Sequence, residues 1–450
     1  DDFKIPTSLL YSNLTTVIGG ESKRRSSVYS LYFSGTLDYQ QKVYLNFTGR
    51  NDWDSQMWTP IGSSGDYSFF YPSISMSFLG NDIFGIDSDI LSFSKLRLAW
   101  SEVGSGGFKN DEVNYYLSEV TGYNGLITVT KSDIFDDSSL KPESTQSIEL
   151  GVEFKFFNNR LYTDFTYYKT NTFDQILNAP VDASTGFNFK RTNVGEVQNK
   201  GLEFLVGGTP IQTSDFYWDA SINLAKNKNQ LVSFIEGGYY GDIYGRDYIY
   251  HDGKIIVNQN GLPIASEETL LGNYQPDMTG GLSNTFGYKD LELSFLIDFR
   301  QGGEAYSMTH RELGQRGSIV ETLEGRDGMV LDAFVNTGTE EAPVYVANTT
   351  EINSENYWSA LAGIEKAHIQ DLSNIRLREL SLSYSLSGSM LDNTFVRSIS
   401  LSLVGRNLFF LSKKADGVDP EASVAIGNNG QGAFYYNMPS TRRFGFNLNV

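Results

Sequence analysis

The chain has 450 residues with 44 glycines, 11 prolines and no cysteine, which excludes disulfides and thiol chemistry. Its formal net charge of −19 makes nucleic acid a poor partner. Mean hydropathy is −0.30 and no apolar run is long enough for a transmembrane helix, but this does not exclude spanning strands, whose alternating residues cancel in any hydropathy window.

Alternation is the dominant pattern. Val43, Leu45 and Phe47 fall on one face of a strand, with Tyr44, Asn46, Thr48 and Arg50 on the other. Ile148, Leu150, Val152, Phe154 and Phe156 alternate with Glu149, Gly151, Glu153 and Lys155. Leu291, Leu293, Phe295, Ile297 and Phe299 alternate with Glu292, Ser294, Leu296, Asp298 and Arg300. Taken in chain order, the pattern predicts about thirteen strands, near 28–38, 42–50, 69–79, 93–103, 144–157, 160–171, 191–208, 216–228, 277–287, 290–301, 371–386, 397–408 and 439–450. One face suits lipid and the other suits water. The 27 Tyr and 30 Phe fit aromatic girdles at two membrane interfaces, although a β-rich lectin would also be rich in aromatics.

The connections alternate between short, as at Asp38–Gln41 and Phe157–Asn159, and long, as at Gly104–Glu143 and Gln301–Gln370. Short periplasmic turns and long extracellular loops are the asymmetry of outer-membrane barrels. The expected fold is therefore all-β, a transmembrane antiparallel β-barrel portion with long extracellular loops. One loop segment, Tyr357–Ile369, reads as a short helix with Trp358, Leu361 and Ile364 on one face. An odd strand number conflicts with the even count of single-chain bacterial barrels, and open edges cannot be satisfied by lipid. The chain begins at Asp1 without an initiator Met or signal peptide, so it reads as a mature fragment, a processed chain or a partial one, and the simplest candidate to close the open sheet is a missing N-terminal half.

Several segments resemble the C-terminal half of SusC/RagA-type TonB-dependent outer-membrane transporters of the Bacteroidetes. They are LKPESTQSIELGVEFKFFNNRLYTDFTYYKTNTFDQIL at Leu140–Leu177, TNVGEVQNKGLEFLVGG at Thr192–Gly208 and FYWDASINLAKNKNQLV at Phe216–Val232. Towards the end come LRELSLSYSL, VGRNLF at Val404–Phe409, GVDPEAS at Gly417–Ser423 and MPSTRRFGFNLNV. The resemblance implies a barrel of about 22 strands, of which this chain would supply about the last 13. It implies partners too: a missing plug and early strands, a SusD-like surface lipoprotein acting as lid, the TonB complex reached through the plug, and outer-membrane lipid. The implied function is import of an oligomeric nutrient, glycan or peptide, without enzyme activity. The chain departs from the pattern in ending at Val450 rather than an aromatic, though Phe444, Phe446, Leu448 and Val450 alternate as expected.

Ligand contact is expected from the loop aromatics Trp53, Trp58, Tyr239, Tyr240 and Tyr244 with Arg246, because flat rings stack on sugars or peptide side chains while polar neighbours orient them. The competing reading is that these rings pack loops or anchor at the membrane interface. Arg97, Glu149, Glu153, Asp298, Arg300, Arg376, Arg378 and Arg406 are expected to face the lumen, either lining a substrate path or pairing across strands. His251, His310 and His368 have no metal-ligand spacing, and no catalytic residue stands out. No cofactor is expected, although Asp133, Asp136 and Asp137 could join a loop calcium site without having the spacing of a calcium loop. Two rival functions stand beside import. One is a barrel scaffold anchoring a surface or secretion complex. The other is a secreted β-rich binding protein, which would need no lipid-facing belt.

Overall fold

The computed structural model describes residues 26–55, 68–105, 116–119, 128–131, 133–136, 140–232, 238–339, 341–387, 396, 398–422 and 431–449. Thirteen antiparallel strands form one sheet in chain order. They are β1 (Val28–Tyr39), β2 (Val43–Asp54), β3 (Ser68–Leu79), β4 (Leu91–Ser105), β5 (Glu143–Phe156), β6 (Leu161–Phe173) and β7 (Val197–Gln212). After these come β8 (Phe216–Leu231), β9 (Met278–Tyr288), β10 (Leu291–Gln301), β11 (Asn374–Ser387), β12 (Ser398–Lys413) and β13 (Arg443–Asn449). Each expected strand is present, with corrected ends. The segment 191–208 splits, because Phe189–Asn193 pairs with Ile176–Pro180 in a loop and the wall strand begins at Val197. β2 runs on through Trp53, and β12 reaches Lys413 through register shifts opposite β11. Val450 lies outside the described residues.

Pairing register sorts the side chains into two faces. Phe47 lies opposite Gly35, and Phe33 lies opposite Gly49. These glycines are spaces for rings: a Cβ on Gly35 would lie 2.3 Å from Phe47, and one on Gly49 would lie 2.5 Å from Phe33. Leu382 pairs with both Leu293 and Leu403, and Leu403 pairs with Phe446, so one apolar row crosses four strands. Leu403 is 58% exposed and Phe446 is 73% exposed, as a face directed at lipid requires. The short turns use strained backbone. Gln40 and Gln41 both have positive φ, 54° and 56°, the geometry of a two-residue hairpin turn.

The buried core is not in the wall. Among the described residues, every fully buried hydrophobic side chain except Val197 lies in the loops between wall strands. Three clusters form there. Val257, Ala333 and Val335 make one, Ala305, Leu372 and Phe434 a second, and Trp358, Leu361 and Ile364 a third. The third is the face expected of the short helix, although the helix itself is Ser354–Leu361 and a 3-10 turn follows at Glu365–His368. Asn353 caps the helix by accepting a hydrogen bond from the Asn356 N–H.

The two faces of β10 give a direct test. Arg in place of Leu293 or Phe295 is expected to cost about 2–4 kcal/mol near the bilayer midplane and to reduce folded protein in heat-modifiability gels. Arg in place of Ser294, on the polar face, is expected to be tolerated. Equal loss at all three positions would contradict the register.

Candidate functional site

On the polar face, low on the wall, Arg97 reaches across a neighbouring strand. Its guanidinium passes over Gly151 on β5 and donates to both oxygens of Asp164 on β6, at 2.8 and 2.9 Å. Gly151 makes the path possible, since a Cβ there would lie 2.7 Å from the Arg97 Nη2. Glu153 lies 3.8 Å from Arg97 and 3.5 Å from Lys155, and the exposed Glu149 adds through-space attraction. Asp164 is a partner that sequence reasoning missed. It occupies an alternating polar position, but only the pairing register brings it opposite this arginine.

Higher on the wall, four sequence segments converge. Arg376 on β11 is 3% exposed and donates to Glu421 at 2.6 Å and to the Asn407 carbonyl at 3.2 Å. Its guanidinium lies 4.5 Å from the ring centre of Phe410. Arg378 donates from Nε to Asp298 at 2.5 Å and from Nη1 to the Asn407 side chain at 2.7 Å, and it also engages Glu421. Asn407 sits at a register irregularity with φ 53°, a left-handed conformation that Asn adopts more readily than most residues. Arg406 lies opposite Glu379 in the register and pairs with it at 2.8 Å. Asp419 accepts hydrogen bonds from the N–H and hydroxyl of Ser440 and from the Glu421 N–H, which holds the Gly417–Ala422 segment against the wall. Arg300 donates to the Tyr274 carbonyl at 2.5 Å at the base of another loop. Seven of the eight expected lumen charges therefore spend their charge or hydrogen bonds on the wall and its loops, and among the described residues Glu149 has only through-space attraction to Arg97.

The loops form a folded cap. Arg246 grips Glu365 through its side chain at 2.9 and 3.1 Å, and its backbone N–H donates to the same carboxylate. Partial burial opposes ionisation of Glu365, but these bonds from Arg246 hold its carboxyl below the usual range. Tyr239 packs under Lys228, whose Nζ lies 4.6 Å from the ring centre. The Tyr240 carbonyl accepts from Asn273. Tyr244 is 51% exposed on a cap strand, the one of the three tyrosines presented openly. Trp53 lies within β2 instead of beyond it, on the apolar face with Val43, Leu45 and Phe47, where a girdle aromatic would sit. Trp58 and Asp137 lie outside the described residues. The Asp133 carbonyl accepts from the Asn188 and Phe189 N–H groups, and Asp136 ends a strand that pairs with Phe189–Asn193.

A polar pocket of about 420 Å³ opens beside the Trp358 indole, lined by Gln315, Arg316, Arg326, Asn353 and Glu355. Below it, two histidines 58 residues apart in sequence meet with their Nδ1 atoms 3.1 Å apart. His368 also contacts the Leu361 carbonyl through Nε2 at 3.0 Å. A carbonyl only accepts, so His368 carries its proton on Nε2 and His310 donates from Nδ1. Both rings are then neutral. Burial lowers the pKa of both, that of His368 to about 4, with His310 and Arg311 adding repulsion and Leu361 and Glu365 opposing it. Glu321 and Asp416 attract a proton to His310 without reversing the shift.

Comparison with known proteins bears on the whole chain. The family described as "TonB dependent receptor-like, beta-barrel" matches residues 3–309. TonB-dependent receptor P3 of Formosa agariphila is 26% identical over 92% of this chain and 44% of its own length. TonB-dependent receptor SusC of Bacteroides thetaiotaomicron is 24% identical over 88% of this chain and 42% of its own length. The chain thus spans less than half the length of these curated relatives. The fold matches the RagAB peptide importer in its "open-open" state with a TM-score of 0.75 at 19% identity, over 99% of this chain and 49% of that one.

Removing Glu421 isolates the nearly buried Arg376. Glu421→Ala is expected to cost about 3 kcal/mol, at the low end for a broken buried pair because Arg378 keeps Asp298. The thermal midpoint of heat-modifiable migration reads this, and an unchanged midpoint would show that the cluster does not hold the loop. The histidines predict a pH dependence. An unfolded cap takes up protons near 6.5 while folded His368 resists until about 4, so cap stability is full above 6.5 and falls as pH drops through that window. Amide protection across Ser354–His368, taken relative to the intrinsic exchange rate at each pH, should fall on acidification, and His368→Phe should flatten that response.

Proposed function

This chain belongs to the TonB-dependent receptor-like β-barrel family of the outer membrane, and from that we propose that it forms the later wall and extracellular cap of a SusC-like transporter importing an oligomeric nutrient, a glycan or a peptide. The supporting observation is the cap itself. Long loops of a passive scaffold have no need of three buried clusters and a polar pocket. Here the loops present Tyr244 and Arg316 openly while bracing everything behind them. An oligomer offers repeated polar groups and flat or apolar faces, which suit an exposed aromatic beside charged groups. The paired wall charges then act as a rigid lining, because opposite charges that satisfy one another do not trap a passing substrate.

On this reading a plug and the preceding strands close the wall, a SusD-like lipoprotein covers the cap, and TonB acts through the plug. These parts lie outside the chain. The family is one of receptors and not a class of enzymes, and no catalytic role is assigned.

The whole transporter, purified from its native membrane and denatured, should release a peptide or oligosaccharide that mass spectrometry identifies. Tyr244→Ala and Arg316→Glu should lower uptake of that compound while leaving the thermal midpoint unchanged. Protein that is folded, releases no oligomer and supports no TonB-dependent uptake would contradict import.

A further inference from the structure

The lipid-facing side of the wall carries a groove of about 610 Å³ at its periplasmic end. It spans β6, β7, β8 and β9. Two rows of side chains shape it. Val206, Ile222 and Leu282 form the upper row, joined by register across β7, β8 and β9. Leu161, Gly208 and Ala220 form the lower row across β6, β7 and β8. The lower row is the source of the space, because elsewhere this face carries Leu and Phe. Gly208 cannot be replaced by a larger residue in this backbone, since a Cβ would lie 2.0 Å from the Arg160 carbonyl oxygen. The register shift between Gly208 and Ile211 widens the opening further.

Two features fix the depth of this groove in the membrane. Trp218 stacks on Phe286 at 5.9 Å and 7°, just to the periplasmic side of Ala220 on the same face. Its indole N–H donates to Asn284 at 3.0 Å. An aromatic pair of this kind with a satisfied polar end marks the membrane interface. Arg160 borders the groove at that level, in the exposed turn before β6. Among the described residues its side chain has no hydrogen-bond or salt-bridge partner, so a cation stands free where headgroup phosphates lie.

We propose that this groove is a binding site for one glycerophospholipid of the periplasmic leaflet, an acyl chain lying along Leu161, Val206, Ile222 and Leu282 and the phosphate meeting Arg160. The volume is within the range of ligand pockets, about 300–1,000 Å³, and the lining is almost wholly apolar. The occupant is committed by position and charge. A lipid-facing groove in the inner half of the outer membrane meets glycerophospholipid, and a free arginine complements its phosphate. Lipopolysaccharide occupies the opposite leaflet.

The test is lipid retention by the complete transporter, extracted in mild detergent and washed, then measured by native mass spectrometry before and after exposure to phosphatidylethanolamine–phosphatidylglycerol vesicles. The wild type should retain one phospholipid. Arg160→Gln should weaken retention about fivefold, the effect of one basic residue at an anionic lipid surface. Ala220→Phe fills the groove and should abolish retention, while Leu448→Phe on the distant outer face should not change it. Arg160 is in an exposed turn, so its substitution reads binding even if Ala220→Phe folds poorly. Absence of retained phospholipid in the wild type, retained lipopolysaccharide in its place, or equal retention by wild type and both groove variants would overturn the site.

Discussion

A strand inside a lipid bilayer has no water to satisfy its backbone, so every N–H and C=O must find a partner within the sheet. That requirement orders the rest of this structure. It dictates thirteen strands paired in sequence, each joined to the next by antiparallel ladders. It moves the apolar side chains outward, because lipid and not a protein core covers them. It also leaves one demand open. Among the described residues nothing pairs with the outer edges of β1 and β13, and such edges do not persist in lipid.

The inversion of inside and outside explains where stability and specificity reside. The wall is held by its backbone ladder and by charges paired across strands, such as Arg97 with Asp164 over Gly151. The cap is held as a soluble domain would be, by buried clusters around Trp358, Phe434 and Val257. Glu421 links the two regimes, since it belongs to a loop segment yet pairs with Arg376 and Arg378 on the wall. A cap tied to the wall in this way keeps its loop clusters fixed relative to the sheet.

The wall was legible because period-two alternation is local: Leu291 to Phe299 reveal their strand without reference to any other part of the chain. The same logic found Trp358, Leu361 and Ile364, which share a helical face. What escaped were features set by pairing between distant segments. The register irregularities that lengthen β12 leave no periodic trace, and Asn407 is intelligible only once its neighbour strand is known. Residues 191–193 alternate well enough to be taken for wall, and it is their pairing with Ile176–Asn178 that removes them. His310 and His368 meet because two loops fold against each other. Of the site candidates, Arg246 proved to be a brace on Glu365 and Trp53 part of a strand, since sequence reports that a residue is aromatic or charged but not which partner reaches it first.

The central claim is that this sheet is part of a larger closed wall in the outer membrane. Mass spectrometry of every polypeptide in the detergent-extracted native particle tests it most directly. The account predicts that the sequence is found continuous with, or bound to, a segment carrying a plug and further strands, with a surface lipoprotein alongside. Recovery of this chain alone, at 50.3 kDa and soluble without detergent, would contradict it.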